Sequence, residues 1–169
     1  MAKLFVTTYM LYNEGRQFES DETGFWFDVV DKDHDELVDH FKDNELDEDP
    51  ELMFTDFEDF PRDLYSESMS PSEYDALDSY ARLSDSDQLG YQFLLDRGFS
   101  TDDCQLRCDE VRFSDQSPKN YAYDFVEECY SVHDWIMGHI DFESVARDLE
   151  IDGMIEEWGN YLVTNANEF

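Results

Sequence analysis

The feature that most constrains this chain is its charge. Against 44 Asp and Glu stand only 11 Lys and Arg, a formal net of -33 on 169 residues. Self-repulsion on that scale opposes a compact state. Yet hydrophobic residues make up 41% of the chain and aromatics 16%. Disordered acidic chains lack such content, because they cannot bury enough apolar area to offset the entropy of ordering. The chain is therefore expected to fold, as one domain or a few small subdomains, with its acids on the outside.

The acids are distributed rather than gathered in a tail. Residues 1–61 hold 19 acids and 4 bases, residues 62–106 hold 10 and 3, and residues 107–169 hold 15 and 4. The densest stretch is Glu45-Leu46-Asp47-Glu48-Asp49-Pro50-Glu51, and no five acids are consecutive. Acidic tails are long unbroken runs. Here the acids interleave with Phe, Leu, Val and Tyr, as on the outer face of folded elements.

Periodicity predicts an α+β fold. Lys3–Met10 and Gly24–Val30 read as strands, with Tyr12-Asn13-Glu14-Gly15 a turn between them. Asp35–Asn44 reads as a helix with Leu37, Val38 and Phe41 inward, and Leu52–Phe57 as a third strand. Ser70-Pro71-Ser72-Glu73 opens a helix with Tyr74, Leu77, Tyr80 and Ala81 inward. Ser84 starts another, with Leu89, Phe93 and Leu94 inward and Gly98 as its stop. Leu106–Phe113 reads as a strand, and Ser117-Pro118 opens a helix with Tyr121, Phe125, Val126 and Cys129 inward. Asp141 caps a helix carrying Phe142, Val145, Ala146 and Leu149 on its apolar face, closed by Gly153. Met154–Trp158 and Tyr161–Thr164 flank a Gly159-Asn160 hairpin turn. The expected division is an α+β segment (1–61), a helical segment (62–106) and a second α+β segment (107–169).

Known chemistries find little support. No nucleophile elbow, phosphate loop, dinucleotide fingerprint or paired-histidine zinc motif occurs. With 44 carboxylates, some pair always sits at glycosidase spacing, so such pairs carry no information. Asp31-Lys32-Asp33-His34-Asp35 begins like a calcium loop, but Glu36 stands where the turn needs Gly and Lys42 where a bidentate Glu is needed. Cys104 and Cys108, with Cys129, His133 and His139, follow no trusted zinc spacing. Neither an enzyme nor a metal or other cofactor is expected. The odd number of cysteines fits free thiols in a reducing, cytoplasmic setting. No apolar run is long enough to span a bilayer, no signal peptide is visible, and anionic lipid would repel this surface. Direct nucleic-acid binding is disfavoured, since base-stacking aromatics need Lys or Arg beside them.

A positive clue lies in the helix at Asp35. Asp35, Asp39 and Asp43 recur at i, i+4 with Glu36 beside them and Lys42 the only base nearby. Like charges at this spacing destabilise a helix by a few tenths of a kcal/mol per pair. Duplex DNA carries one charge per about 1.7 Å of axis, so a net of -33 corresponds to roughly 56 Å of duplex, about 16 base pairs. This reading predicts a decoy for a DNA-binding cleft. Its candidate surface comprises Asp31, Asp33, Asp35, Glu36, Asp39, Asp43, Asp47, Glu48, Asp49, Asp56, Glu58, Asp59, Asp75, Asp78, Asp85 and Asp87. The alternative is a halophile-type enzyme or binding module whose surface acids serve solubility; having 4 Lys among the 11 bases fits that too.

Several stretches together resemble the ArdA antirestriction proteins of mobile genetic elements. They are Tyr12-Asn13-Glu14-Gly15, Gly24-Phe25-Trp26-Phe27-Asp28, Thr55-Asp56-Phe57-Glu58 with Phe60-Pro61, and above all Ile140–Gly153. The last is similar to that family's antirestriction motif, here carried by Asp141, Phe142, Glu143, Arg147, Asp148, Leu149, Asp152 and Gly153, with Phe142 where Tyr is common. Residues 62–118 match least. The resemblance implies an elongated, curved body of three small domains, dimeric through its C-terminal part, that mimics bent B-form DNA. It implies type I restriction-modification enzymes as partners, engaged at their DNA-recognition and methyltransferase core. Arg147 is expected to pair with Glu143 or Asp148, or to support the dimer contact.

Overall fold

The computed structural model describes all residues, Met1–Phe169, and is mixed α+β as the patterning predicts. The chain packs as two compact units, Met1–Gln88 and Leu89–Phe169.

The first unit contains β1 (Lys3–Thr8), α1 (Tyr9–Asn13), β2 (Phe25–Asp28), α2 (His34–Asp43), β3 (Leu52–Glu58) and α3 (Pro71–Ala81). Its antiparallel sheet has the order β2-β1-β3, so the most buried strand lies in the centre. Leu4 and Val6 of β1 are fully buried, as are Leu37 and Phe41 of α2. Phe25 stacks on Phe41 at 6.2 Å, which seats α2 against the sheet. Tyr74 of α3 stands 6.1 Å from Phe54 and donates its hydroxyl to the carbonyl of Lys32 at 2.7 Å. The first strand is shorter than its alternation suggests. It ends at Thr8, whose Oγ1 accepts from the Leu11 amide at 3.3 Å and starts α1. Likewise β2 ends at Asp28, and Val29–Asp31 turn as a short 3-10 helix.

Helix α4 (Asp85–Asp96) begins in the first unit and the boundary falls inside it. The second unit continues with α5 (Thr101–Arg107), β4 (Phe113–Ser114), α6 (Pro118–Cys129), α7 (Asp134–Met137), α8 (Phe142–Ile151), β5 (Glu156–Trp158) and β6 (Tyr161–Val163). Its sheet has the order β4-β6-β5, with the Gly159-Asn160 turn where expected and Gly159 at φ 59°. The core joins Ala122 and Val126 of α6 to Phe142, Ala146 and Leu149 of α8, with Ile155 and Leu162 beneath.

Two expectations are corrected here. The segment from Leu106 to Phe113 is not one strand: it begins at the end of α5, passes through a 3-10 turn at Cys108–Glu110, and pairs only at Phe113–Ser114. Ser100 caps α5, accepting from the Asp103 amide at 3.2 Å. Leu106, whose apolar character suggested a strand, is 76% exposed. Cys129, expected inward on α6, is exposed, because the inward stripe of that helix ends at Val126. No helix is long and apolar enough to cross a membrane.

Candidate functional site

The scaffold turns its charge outward: 38 of the 44 acids are exposed. The bases do not cover them. Within 4 Å, Lys and Arg engage only Glu14 and Glu19 (Arg16), Asp78 (Arg82), Glu156 (Arg97), Glu110 (Arg107) and Glu143 (Lys119). Much of what the arginines do is internal stitching. Arg82 also donates to the Val30 carbonyl, Arg97 lies over the Phe93 ring, and Arg107 lies over Phe169 at 4.7 Å.

Helix α2 shows how local sequence makes the array. Asp33 is its N-cap: its Oδ1 accepts from the Glu36 amide at 2.8 Å, while the Glu36 carboxylate accepts from the Asp33 amide at 2.9 Å. This reciprocal box fixes the first turn. The run that begins like a calcium loop is therefore a helix start. With Leu37 and Phe41 anchored inside, Asp35, Glu36, Asp39 and Asp43 are all exposed, and none has a Lys or Arg within ion-pair distance. Asp35 and Glu36 sit favourably at the positive helix end, whereas Asp43 sits at the negative end and is opposed by it.

The other candidate acids divide by exposure. Asp31, Asp33, Glu48, Asp49, Asp56, Glu58, Asp59, Asp75 and Asp85 are exposed. Asp47 is 8% exposed and accepts from the Asp49 amide at 3.1 Å, so it lies beneath the surface. Asp78 and Asp87 are half-buried; Asp78 is paired with Arg82 at 2.8 Å and Asp87 accepts from Ser84 at 2.7 Å. Asp31, Asp33, Glu36, Asp75 and Asp78 converge with Lys32, Tyr74 and Arg82 around an open cleft of about 190 Å³. Burial first, and then nearby Asp78, push the Tyr74 phenol well above its ordinary range. No group of three or more His, Cys, Asp or Glu is placed to hold a metal ion.

The stretch from Asp141 to Gly153 is α8 with both of its ends. Asp141 caps it, accepting from the Glu143 and Ser144 amides at 3.2 Å each. The Ser144 hydroxyl, donating at 2.8 Å, is the main reason the Asp141 carboxyl is held below its ordinary value. Phe142 and Leu149 belong to the core, and Gly153 closes the helix at φ 70°. Glu143, Arg147, Asp148 and Asp152 are exposed. Arg147 makes no ion pair with Glu143 or Asp148, and Glu143 is instead held by Lys119 of α6 at 3.1 Å.

Sequence reasoning singled out no surface acid between residues 88 and 140, yet Asp102, Asp103, Asp109, Asp115, Glu127 and Asp134 are all exposed. Glu127 stands on the 12-residue α6, whereas Asp102, Asp103, Asp109 and Asp134 lie on elements of seven residues or fewer and Asp115 lies outside any element, so spacing gave no signal there. It also passed over Glu45, which adopts a left-handed backbone at φ 56°.

The family model of the antirestriction protein ArdA matches residues 4–162 of the 169. No individual curated protein matches the chain.

Proposed function

This chain belongs to the ArdA antirestriction family, and we propose that it works by occupying the DNA-binding groove of type I restriction-modification enzymes as a mimic of B-form DNA. The observation that carries this reading is the exposed acid array of α2, free of Lys and Arg partners, on an anchored helix. A DNA cleft is lined with cations placed to meet phosphates, and its affinity rests largely on that charge. A rigid scaffold holding carboxylates outward offers such a cleft a similar field without a strand to cleave. The candidate acids from Asp31 to Asp87 serve as the mimic surface, with those exposed contributing most.

In this proposal each of the two compact units, Met1–Gln88 and Leu89–Phe169, contributes exposed acids, and the protein works in the host cytoplasm. Two copies associate through the C-terminal part, where Trp135 and Ile151 expose 71% and 75% of their surface. The motif at Asp141–Gly153 supports that region, its exposed Glu143, Arg147, Asp148 and Asp152 facing outward around a helix fixed by Phe142 and Leu149.

Competition tests the reading. A purified type I methyltransferase bound to labelled duplex is titrated with this protein at low salt. Displacement that weakens steeply as salt rises is expected, because Coulomb contacts are screened within about 10 Å at 0.1 M. A large excess that never displaces the duplex refutes the mimicry. Asp39→Asn alone should change displacement little, since the field is distributed.

A further inference from the structure

The outer face of the first sheet carries an aromatic pocket that the acid array does not explain. In the strand registers, Phe5 of β1 lies between Trp26 of β2 and Asp56 of β3. Side chains directly opposite on adjacent strands share one face. Phe5 and Trp26 meet edge to face at 5.7 Å, and Phe18 closes on Phe5 at 5.5 Å. Together with Tyr12, Gln17 and Thr55 they line a cavity of about 360 Å³. Phe18, Tyr12 and Trp26 expose 75%, 44% and 43% of their surface. Large aromatics left this open invite a partner.

The pocket is built rather than incidental. Gly24 permits it: a Cβ there would meet the Gln17 carbonyl oxygen at 2.2 Å and the Phe5 ring at 2.9 Å. The segment bearing Phe18 is pinned on several sides. Arg16 bonds Glu14 and Glu19 at 3.1 and 2.9 Å, the Thr7 hydroxyl donates to the Thr23 carbonyl at 2.8 Å, and His40 Nε2 lies 3.0 Å from the Glu22 carbonyl. In the wall, Gln17 Oε1 is buried without a hydrogen-bond partner. At the rim, exposed Asp56 accepts only from the adjacent Phe57 amide, at 2.9 Å, and has no ion pair.

Ring faces and a free carboxylate together select a cation that can stack and donate. Guanidinium does both; it is planar, weakly hydrated and always charged. The chain uses the same pairing elsewhere: Arg62 lies over Phe57 and Tyr65, Arg97 over Phe93, and Arg107 over Phe99 and Phe169. No arginine of this chain lies over Phe5, Phe18 or Trp26.

We infer that the pocket formed by Phe5, Phe18, Trp26 and Asp56 is a receptor for one arginine side chain of the basic protein that this chain engages. The inference rests on the proposed function for the identity of that partner, and on the pocket alone for the chemistry. An arginine that would otherwise meet a phosphate inserts between the Phe18 and Trp26 rings, and Asp56 receives its N–H groups. The site adds one fixed point to a contact that the distributed field leaves diffuse.

Two measurements on the full chain separate the layers. N-acetyl-arginine-amide is titrated while the three indole N–H resonances are followed. A saturable shift confined to Trp26, larger than with N-acetyl-lysine-amide, is expected, and Phe18→Ser or Asp56→Asn should abolish it while Asp39→Asn leaves it. Equal shifts at Trp26, Trp135 and Trp158, or indifference to Phe18→Ser and Asp56→Asn, overturn the receptor. In the displacement assay Phe18→Ser should weaken competition roughly threefold to tenfold. Phe18 is mostly exposed, so its loss spares the core. If the unaltered chain displaces duplex and Phe18→Ser does so equally well, the partner's arginine does not use the pocket. If the unaltered chain displaces nothing, the mimicry fails, and the arginine titration still decides the pocket's chemistry.

Discussion

Glu45→Gly should stabilise this protein. Four helices end in the same hydrogen-bonded motif, in which the residue after the cap is left-handed. After α1 the bonds are Gly15 N–H to Tyr12 O and Arg16 N–H to Leu11 O, at 3.0 and 2.8 Å. After α4 they are Gly98 to Leu95 and Phe99 to Leu94, and after α8 Gly153 to Glu150 and Met154 to Leu149. In each the left-handed residue is Gly, at φ 73°, 84° and 70°. After α2 the bonds are Glu45 to Lys42 and Leu46 to Phe41, both 3.0 Å, and the residue at φ 56° is Glu. A side chain there meets the following carbonyl oxygen, at a cost of about 1–2 kcal/mol. Glycine removes that clash but gives the unfolded chain more freedom, returning about 0.5–1 kcal/mol. The net gain is about 1 kcal/mol, a rise of roughly 2–4 °C in Tm if the chain melts as one and more if the first unit melts alone. Urea and thermal melts of Glu45→Gly, Glu45→Asn and Glu45→Gln check it. Asn tolerates the left-handed region and should recover part of the gain. Gln removes the charge but keeps Cβ, so its effect should be small and fade with salt. If Gln stabilises as much as Gly, relief of repulsion rather than backbone geometry is responsible and the argument fails.

Raising salt from about 0.02 to 0.5 M should raise Tm, because screening within a few ångströms suppresses repulsion among the exposed carboxylates; a flat or falling Tm would show that their repulsion does not limit stability. An aromatic disulfide reagent should modify one thiol of three in the native protein at neutral pH. Cys129 is exposed, while Cys104 and Cys108 are buried and burial pushes the Cys104 thiol up to about 11; fast release of more than one equivalent contradicts this. Gly90→Ala, normally favourable in a helix, should destabilise by roughly 1–3 kcal/mol in denaturant melts. Its Cβ would meet the Cys108 carbonyl oxygen at 2.1 Å.

The helix of the motif region could be read almost completely in advance. Asp141, the spacing of Phe142, Ala146 and Leu149, and Gly153 are local signals, and each acts within its own turn. The same is true of Ser70 and Glu73, which close a reciprocal box in which the Glu73 carboxylate accepts from the Ser70 amide at 2.7 Å. Where reading failed, the deciding partner was distant or the element very short. Leu106 looked like part of a strand because its exposure was not visible, and β4 has only two residues. Cys129 has the right spacing to continue an inward stripe, but the core it would join ends at Val126.

By itself the sequence determined that the chain folds, that it is α+β, that its acids lie outside, and which family it resembles. These follow from composition, local capping chemistry and period, properties that need no long-range contact. Only the tertiary structure decided that Asp47 sinks below the surface while its neighbours Glu48 and Asp49 stay outside, and that Lys119 rather than Arg147 holds Glu143. It alone set Phe5, Phe18, Trp26 and Asp56 around one cavity, and put Glu45 where its sister helices use glycine. Which residues meet across strands and turns depends on register and packing between segments far apart in the chain, and no local pattern encodes that pairing.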